Sequence, residues 1–132
     1  MSAMRRFLLL ICALAAAGAA QAQAPDAGFT DPAHFRQRDG AALYHGICQG
    51  CHMPQGQGAV GAGAYPALAR NQKLATAGYP VLIVLNGSKA MQSFARMLDD
   101  AQIAAVVNYI RTNFGNSYTD AVTAADVAGA RQ

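Results

Sequence analysis

The chain of 132 residues has no tryptophan and no glutamate, and only 13% of its residues carry a charge. Its Lys and Arg residues are few and scattered, so they form no basic stripe, which argues against nucleic-acid binding. These figures also exclude a charged disordered tail, a collagen-like fibre and a coiled coil. A chain of this length with 53% hydrophobic residues is expected to form one domain.

The N-terminal segment differs in composition from the rest of the chain. Arg5 and Arg6 precede an apolar run over residues 7–17, and an Ala-x-Ala site ends at Ala22. This order is typical of a secretory signal peptide, and the run is short for a membrane span. We predict that residues 1–22 are cleaved, that the protein is exported to a bacterial periplasm, and that no permanent membrane span remains. A permanent membrane anchor is the alternative.

The remainder is predicted to contain short helices separated by long loops. Residues 23–33 show little periodicity, and residues 23–38 are expected to form a flexible arm. Helical spacing is found at 34–50, 68–74, 80–85 and 99–115, and glycine-rich or irregular loops lie at 54–66 and 88–98. The apolar run at 81–85 fits a buried strand equally well.

The last helix has the clearest signals. Asp99 and Gln102 have the spacing of a capping box, and Gly115 is expected to end the helix as its C-cap. Its apolar residues recur at helical spacing: Ile103, Val106, Val107 and Ile110. No convincing strand pair is found, so we expect an all-α fold. A short chain with so many glycine-rich loops has little core of its own, and something else should fill its centre.

The strongest motif is Cys48-Gln49-Gly50-Cys51-His52, whose Cys-x-x-Cys-His pattern is typical of covalent haem attachment. Residues three apart lie on one face of a helical turn, so both thiols can bond to one haem while His52 ligates the iron. The alternatives are a thioredoxin-like redox pair, a structural disulfide, and half of a zinc site completed by His34 or His45. Predicted export favours haem.

The second axial ligand has several candidates: Met53, Met91, Met97, His34 and His45. Met53 directly follows the motif histidine and is therefore held on the same side of the haem. Met97 lies just before the predicted cap of the last helix, where an apolar residue commonly packs against the core. Met91 lies in a loop long enough to reach the opposite face, so spacing favours Met91. A structural core methionine is its alternative.

The sequence resembles class I cytochromes c between Gly40 and Asn116, and more narrowly the haem domains of cytochrome subunits that serve periplasmic alcohol or sugar dehydrogenases. The matching segments are 40–44, 48–52, 65–68, 86–87, 91–94 and 104–111. The resemblance implies a cytochrome c fold, with three to five short helices and long loops wrapped around one covalent haem c. That haem domain would span residues 39–116, followed by a C-terminal tail at 117–132.

The resemblance also implies roles for individual residues. Cys48 and Cys51 would hold the haem, His52 and Met91 would ligate its iron, and the Pro66 carbonyl would accept a hydrogen bond from the His52 ring. Further cofactor contacts are expected from Tyr65, Leu68 and Phe94. Gly40 and Tyr44 would pack against Tyr109. The family loop usually has proline after its methionine, whereas Gln92 follows Met91 here, so we expect a less stiff loop.

The implied function is single-electron transfer in the periplasm rather than enzyme catalysis. The expected donor is a periplasmic dehydrogenase, and the acceptor is an oxidase or another cytochrome. Alternatives are a fixed haem subunit of a dehydrogenase complex, and a haem enzyme or sensor with a labile sixth ligand. The arm and tail would then be docking segments or simply disordered ends. Loss of two arginines with the signal lowers the formal net charge from +3 to about +1, which predicts weak electrostatic steering.

Overall fold

The computed structural model describes residues 35–61 and 63–131. The predicted signal peptide and most of the predicted arm lie outside these residues. The elements in chain order are α1 (Gly40–Leu43), a π-helical turn (Tyr44–Cys48), α2 (Gln49–His52), β1 (Ala59–Val60), β2 (Ala64–Tyr65), a 3₁₀ turn (Gln72–Ala75), α3 (Gly78–Asn86), α4 (Asp100–Thr112) and α5 (Ala124–Ala130). The predominance of helix confirms the all-α prediction. No helix in the described ranges is long and apolar enough to cross a membrane.

The N-terminal helical stretch runs without a break from α1 through the π-helical turn to α2. Asp39 caps its start, because its carboxylate accepts a hydrogen bond from the Ala42 backbone N–H at 2.9 Å. The stretch ends at Met53, whose φ of 66° turns the chain away from the helix axis. Two cysteines and one histidine of the motif therefore lie on its last turns.

This stretch crosses α4 at Gly40. A Cβ atom placed there would clash with the Ala105 carbonyl oxygen and would lie 2.9 Å from Tyr109 Cβ, so only glycine permits this crossing. One turn further on, the rings of Tyr44 and Tyr109 have centroids 5.6 Å apart. The predicted packing of Gly40 and Tyr44 against Tyr109 is confirmed.

The loop after α2 contains a strand pair that the sequence did not predict. In this antiparallel pair, Ala59 faces Tyr65 and Val60 faces Ala64. Strands of two residues are too short to show an alternating apolar pattern, which explains the omission. The helix expected at 68–74 is also wrong, because the structure has a 3₁₀ turn only at Gln72–Ala75.

Helices α3 and α4 follow the sequence signals closely. The apolar run at 81–85 is helical, Pro80 lies in the first turn of α3, and Gly87 follows its last residue with a φ of 75°. At α4, the Asp99 carboxylate accepts from the Gln102 N–H at 2.8 Å, and the Asp99 N–H donates to the Gln102 side chain at 2.9 Å. The capping box is thereby confirmed. The helix ends at Thr112, earlier than the predicted cap at Gly115.

Both ends of the described chain are tied to the core. The Gln102 side-chain amide donates to the backbone carbonyls of Phe35 and Gln37, at 2.6 and 2.8 Å, so the arm is anchored at its last residues. In the tail, Val122 and Val127 are buried, and α5 packs on α4. The interpretation of the tail as a disordered end is therefore wrong for residues 117–131.

Candidate cofactor site

A cavity of about 500 Å³ lies between the N-terminal helical stretch, α3, α4 and the loops that follow α2 and α3. Its walls are mostly aliphatic and aromatic, with Ile47, Leu68, Leu74, Ile83, Val84, Phe94, Leu98, Val106 and Ile110 among them. Size and apolar lining are typical of a cofactor site. The sequence predicted that something other than protein fills the centre of this domain, and the cavity provides the space for it.

The three chemically distinctive residues of the motif line one side of this cavity: Cys48, Cys51 and His52. The π-helical turn ends at Cys48, and α2 carries the other two. Burial, and then the neighbouring Cys51, raises the pKa of the Cys48 thiol to about 12. Both cysteines are free thiols facing a common cavity, as thioether attachment to one haem requires.

The structure gives no support to the three alternatives for this motif. Cys48 and Cys51 are not joined by a disulfide. The strands found in residues 35–61 and 63–131 form one antiparallel pair, so a parallel βαβ unit of the thioredoxin type is not seen there. Over those same residues, no three His, Cys or Asp side chains come together as a metal cluster.

His52 is buried, and its ring is fixed by a hydrogen bond. Its Nδ1 lies 2.9 Å from the Pro66 carbonyl oxygen, as the resemblance implied. A carbonyl can only accept, so Nδ1 carries the proton and Nε2 keeps its lone pair for a metal. Such a bond also raises the basicity of a ligating imidazole.

The helix end beside His52 is held by an aromatic cluster. The buried Tyr44 hydroxyl donates to the Met53 carbonyl at 2.7 Å, while its ring lies 4.7 Å from Phe114 and 5.6 Å from Tyr109, centroid to centroid. Burial, followed by the proximity of Cys48 and Tyr109, raises the pKa of Tyr44 to about 12. Tyr44 therefore remains a hydrogen-bond donor at any physiological pH.

Among the described methionines, Met91 lines the cavity, whereas Met53 and Met97 do not. Met97 lies instead beside Gln92, whose side-chain amide donates to its sulfur at 3.6 Å. His45 is exposed and bonded to the Gln49 side chain at 2.9 Å. His34 lies outside the described residues.

The remaining predicted contacts divide into two groups. Leu68, Phe94 and Pro66 line the cavity, but Tyr65 does not. Tyr65 pairs with Ala59 in the strand ladder and is 38% exposed, because successive residues of an extended chain point to opposite sides. The structure therefore does not place Tyr65 among the residues that line the cavity.

Sequence reasoning missed several residues that line the cavity: Phe35, Asn71, Lys73, Tyr79 and Gln92. Phe35 fell within the predicted arm, and an isolated aromatic in an irregular segment gave no periodic signal. The others lie outside the apolar faces of the helices, where no local pattern identifies a cavity wall. Tyr79 is 42% exposed and therefore lies at the cavity mouth.

The wall formed by the 3₁₀ turn is held from beneath by Arg111 of α4. This side chain is fully buried, and its Nε donates to the Leu74 carbonyl at 2.9 Å. Its terminal nitrogens reach the Ala75 carbonyl at 3.3 Å and the Asp120 carboxylate at 2.6 Å. Arg111 thus joins a cavity wall to the segment that leads into α5.

Comparison with known proteins agrees with this site. Residues 35–110, more than half of the chain, match the family model described as cytochrome c oxidase, cbb3-type, subunit III. Cytochrome c-552 of Thermus thermophilus is 38% identical over 98 residues, which cover 61% of this chain and 72% of that protein.

Two longer relatives are also similar. The cytochrome c subunit of a quinone-type alcohol dehydrogenase from Gluconacetobacter polyoxogenes is 37% identical over 105 residues, 70% of this chain. The fructose dehydrogenase cytochrome subunit of Gluconobacter japonicus is 31% identical over 94 residues, 60% of this chain. The aligned parts span only 22% and 19% of those two subunits.

Proposed function

The chain belongs to the cytochrome c family represented by the cbb3-type subunit III model, and we propose that it is a periplasmic carrier of single electrons between a dehydrogenase and a downstream acceptor. Its cofactor is haem c, bound covalently as in that family. The observation that carries the proposal is the shared lining of one apolar cavity by Cys48, Cys51, His52 and Met91.

When bound, the haem supplies a one-electron iron couple. We assign its covalent attachment to Cys48 and Cys51, and its two axial ligands to His52 and Met91. The Pro66 carbonyl orients the imidazole and fixes its tautomer. The apolar walls exclude water and disfavour added positive charge, so with a thioether ligand they favour the reduced state. With His52 and Met91 both as ligands, the iron would have no open position for a substrate.

A haem enzyme or sensor finds less support. A peroxidase needs a distal base and an arginine beside an open iron position. Among the described residues that line the cavity, the only histidine is His52, and there is no arginine. The cavity therefore suits electron transfer better than substrate chemistry.

Charge is distributed unevenly around the cavity mouth. Within the described ranges, every aspartate is engaged in a cap or an ion pair: Asp39, Asp99, Asp100, Asp120 and Asp126. Four exposed cations form no ion pair there: Arg70, Lys73, Lys89 and Arg96. Lys73 lines the cavity, Arg70 and Lys89 each adjoin a residue that does, and Arg96 lies two residues from Phe94 and Leu98, which also line it. We name these four side chains the cationic rim.

Three of the five described aspartates are paired with arginines, whereas the four cations of the rim have no ion-pair partner among the described residues. Because Lys73 lies in the cavity wall itself, the cationic rim gives this face a positive charge that no neighbouring carboxylate offsets by an ion pair. We infer that the redox partner presents a carboxylate-rich surface to this face, which would speed encounter at low salt. This proposal differs from the expectation of weak steering, which rested on net charge.

A fixed subunit of a dehydrogenase complex is the second candidate, favoured by the names of two relatives. Affinity purification of the tagged protein from its native periplasm separates the two. A diffusing carrier should elute alone, whereas a subunit should bring a dehydrogenase in constant proportion.

The optical spectrum of the oxidised holoprotein tests the proposed site. Methionine ligation gives a weak long-wavelength band, which should be present in the wild type and absent from Met91→Ala. Met97→Ala is the matched control and should retain the band, because Met97 does not line the cavity. A band that survives in Met91→Ala would show that the proposed ligand is wrong. Failure of the wild type to cycle reversibly in a one-electron redox titration would contradict the carrier function.

A further inference from the structure

The loop that carries Met91 also serves as the C-terminal cap of α3. The last turn of a helix leaves carbonyl groups without intrahelical partners. Here the Ile83 carbonyl accepts from the Gly87 N–H at 2.8 Å, and the Val84 carbonyl accepts from the Phe94 N–H at 2.9 Å. The Leu85 carbonyl accepts a hydrogen bond from the Ser93 hydroxyl. Two of these donors come from residues just beyond Met91.

The segment between these bonds is a closed turn. Ser88 and Met91 exchange two backbone hydrogen bonds, each 2.9 Å long. The following residues pass directly over Gly87, where a Cβ would lie 2.5 Å from the Met91 carbonyl oxygen and 2.8 Å from the Ser93 nitrogen. With a φ of 75° as well, this position strongly favours glycine. The backbone of Met91 is therefore fixed from both sides.

Among the described residues, Ser93 is the one whose side chain takes part in capping these carbonyls. Its hydroxyl donates to Leu85 of α3 and also accepts from the Ala95 N–H at 3.3 Å. Met91, Gln92 and Phe94 line the cavity, whereas Ser93 does not. The hydroxyl thus lies outside the haem site and acts on the backbone that carries Met91.

We propose that Ser93 is a positioning residue for Met91, and that its bond to the helix end supplies the stiffness that Gln92 cannot. This inference rests on the proposed role of Met91 as an axial ligand. A proline in place of Gln92 would restrict the backbone dihedral angles of the loop directly. Here the same restriction comes from a side-chain hydrogen bond to a carbonyl of α3. The loop is consequently held as a whole rather than at one dihedral angle.

The test is competition between Met91 and added imidazole, followed by optical titration of the oxidised holoprotein. Ser93→Ala removes the hydroxyl, so imidazole affinity should rise about three- to tenfold, the upper value being equivalent to about 1.4 kcal/mol. Ser93→Thr keeps the hydroxyl and should stay near the wild-type value. Adding Gln92→Pro to Ser93→Ala should return the imidazole affinity most of the way to the wild-type value. Met91 can accept a following proline, because its backbone is already extended, as a residue before proline must be.

Two controls make the result specific. Thr112→Val removes a hydroxyl that donates to the Asn108 carbonyl at 2.8 Å on α4 and should leave imidazole affinity unchanged. Hydrogen exchange of wild-type holoprotein should show slow exchange at the Met91 and Phe94 amides, which needs no variant to fold.

Each outcome supports or contradicts the proposal. If Ser93→Ala binds imidazole like the wild type while Met91→Ala has lost its long-wavelength band, Met91 is the ligand and Ser93 does not position it. If Met91→Ala keeps the band, the ligand proposal itself fails. Fast exchange at the Met91 and Phe94 amides would show that the loop is not held by these backbone hydrogen bonds, whatever the variants do.

Discussion

Removal of the buried Arg111 side chain should destabilise the protein far more than removal of an exposed arginine. Arg111 joins α4 to the backbone carbonyls of Leu74, Ala75 and Asp120 and to the Asp120 carboxylate. Arg111→Met keeps much of the aliphatic volume of the side chain but removes all of its donors. The change therefore tests the hydrogen bonds rather than the packing.

The magnitude follows from which partners are left without a donor. Leu74 is buried, and a buried acceptor that loses its partner costs about 1–3 kcal/mol. Ala75 is exposed, so water can replace its lost bond. Asp120 is 70% exposed, and an ion pair to an exposed carboxylate contributes little. Adding the disturbance of the turn, we expect Arg111→Met to lose about 2–4 kcal/mol of unfolding free energy.

Guanidinium unfolding of the holoprotein, followed by far-UV circular dichroism, measures this loss. Arg70→Met is the matched control, because it changes the net charge equally at an exposed side chain without an ion pair in the described part of the chain. It should cost no more than about 0.5 kcal/mol. Equal losses in the two variants, or no loss in Arg111→Met, would refute the view that Arg111 holds the wall of the cavity.

Two further predictions concern charge. The Arg111 hydrogen bond holds the pKa of Asp120 below its usual value, so its stabilisation is complete above about pH 4 and is lost as pH falls through the lowered pKa. Asp120→Asn should therefore make the acid limb of a stability–pH curve slightly less steep, by the small contribution of this one ion pair; an unchanged limb would contradict this. Reduced holoprotein should react with ferricyanide more slowly as salt rises, and Lys73→Gln should weaken that dependence. Ala125→Asp makes the same charge change on α5 and should leave the salt dependence of the rate unchanged. An equal effect of the two variants on that dependence would argue against the cationic rim.

Features with a local cause could be predicted from the sequence. The attachment motif, the α4 capping box and the helical face from Ile103 to Ile110 each depend on residues within two turns of one another. Met91 was favoured because its loop could reach across a haem, and the structure places it in the cavity lining. For the first three features the signal and the interaction lie close together in the sequence, whereas Met91 was favoured by the reach of its loop.

Features that depend on distant partners could not be predicted. In the tail, Val122 and Val127 are buried only because α3 and α4 meet them. The end of the arm is ordered by Gln102, more than sixty residues away. The π-helical turn also carries no known sequence signal, although it precedes the attachment site directly.

The three side chains that organise the cavity are fixed in the same physical way. His52 bonds to the Pro66 carbonyl, Arg111 to the Leu74 carbonyl, and Ser93 to the Leu85 carbonyl. Backbone carbonyls do not titrate in the physiological range and are not altered by substitution, so they give a constant frame against which each side chain is oriented. This explains how a loop with Gln92 after the methionine can still be rigid. It also predicts that rigidity is lost by removing the donor, not by changing the residues that line the cavity around it.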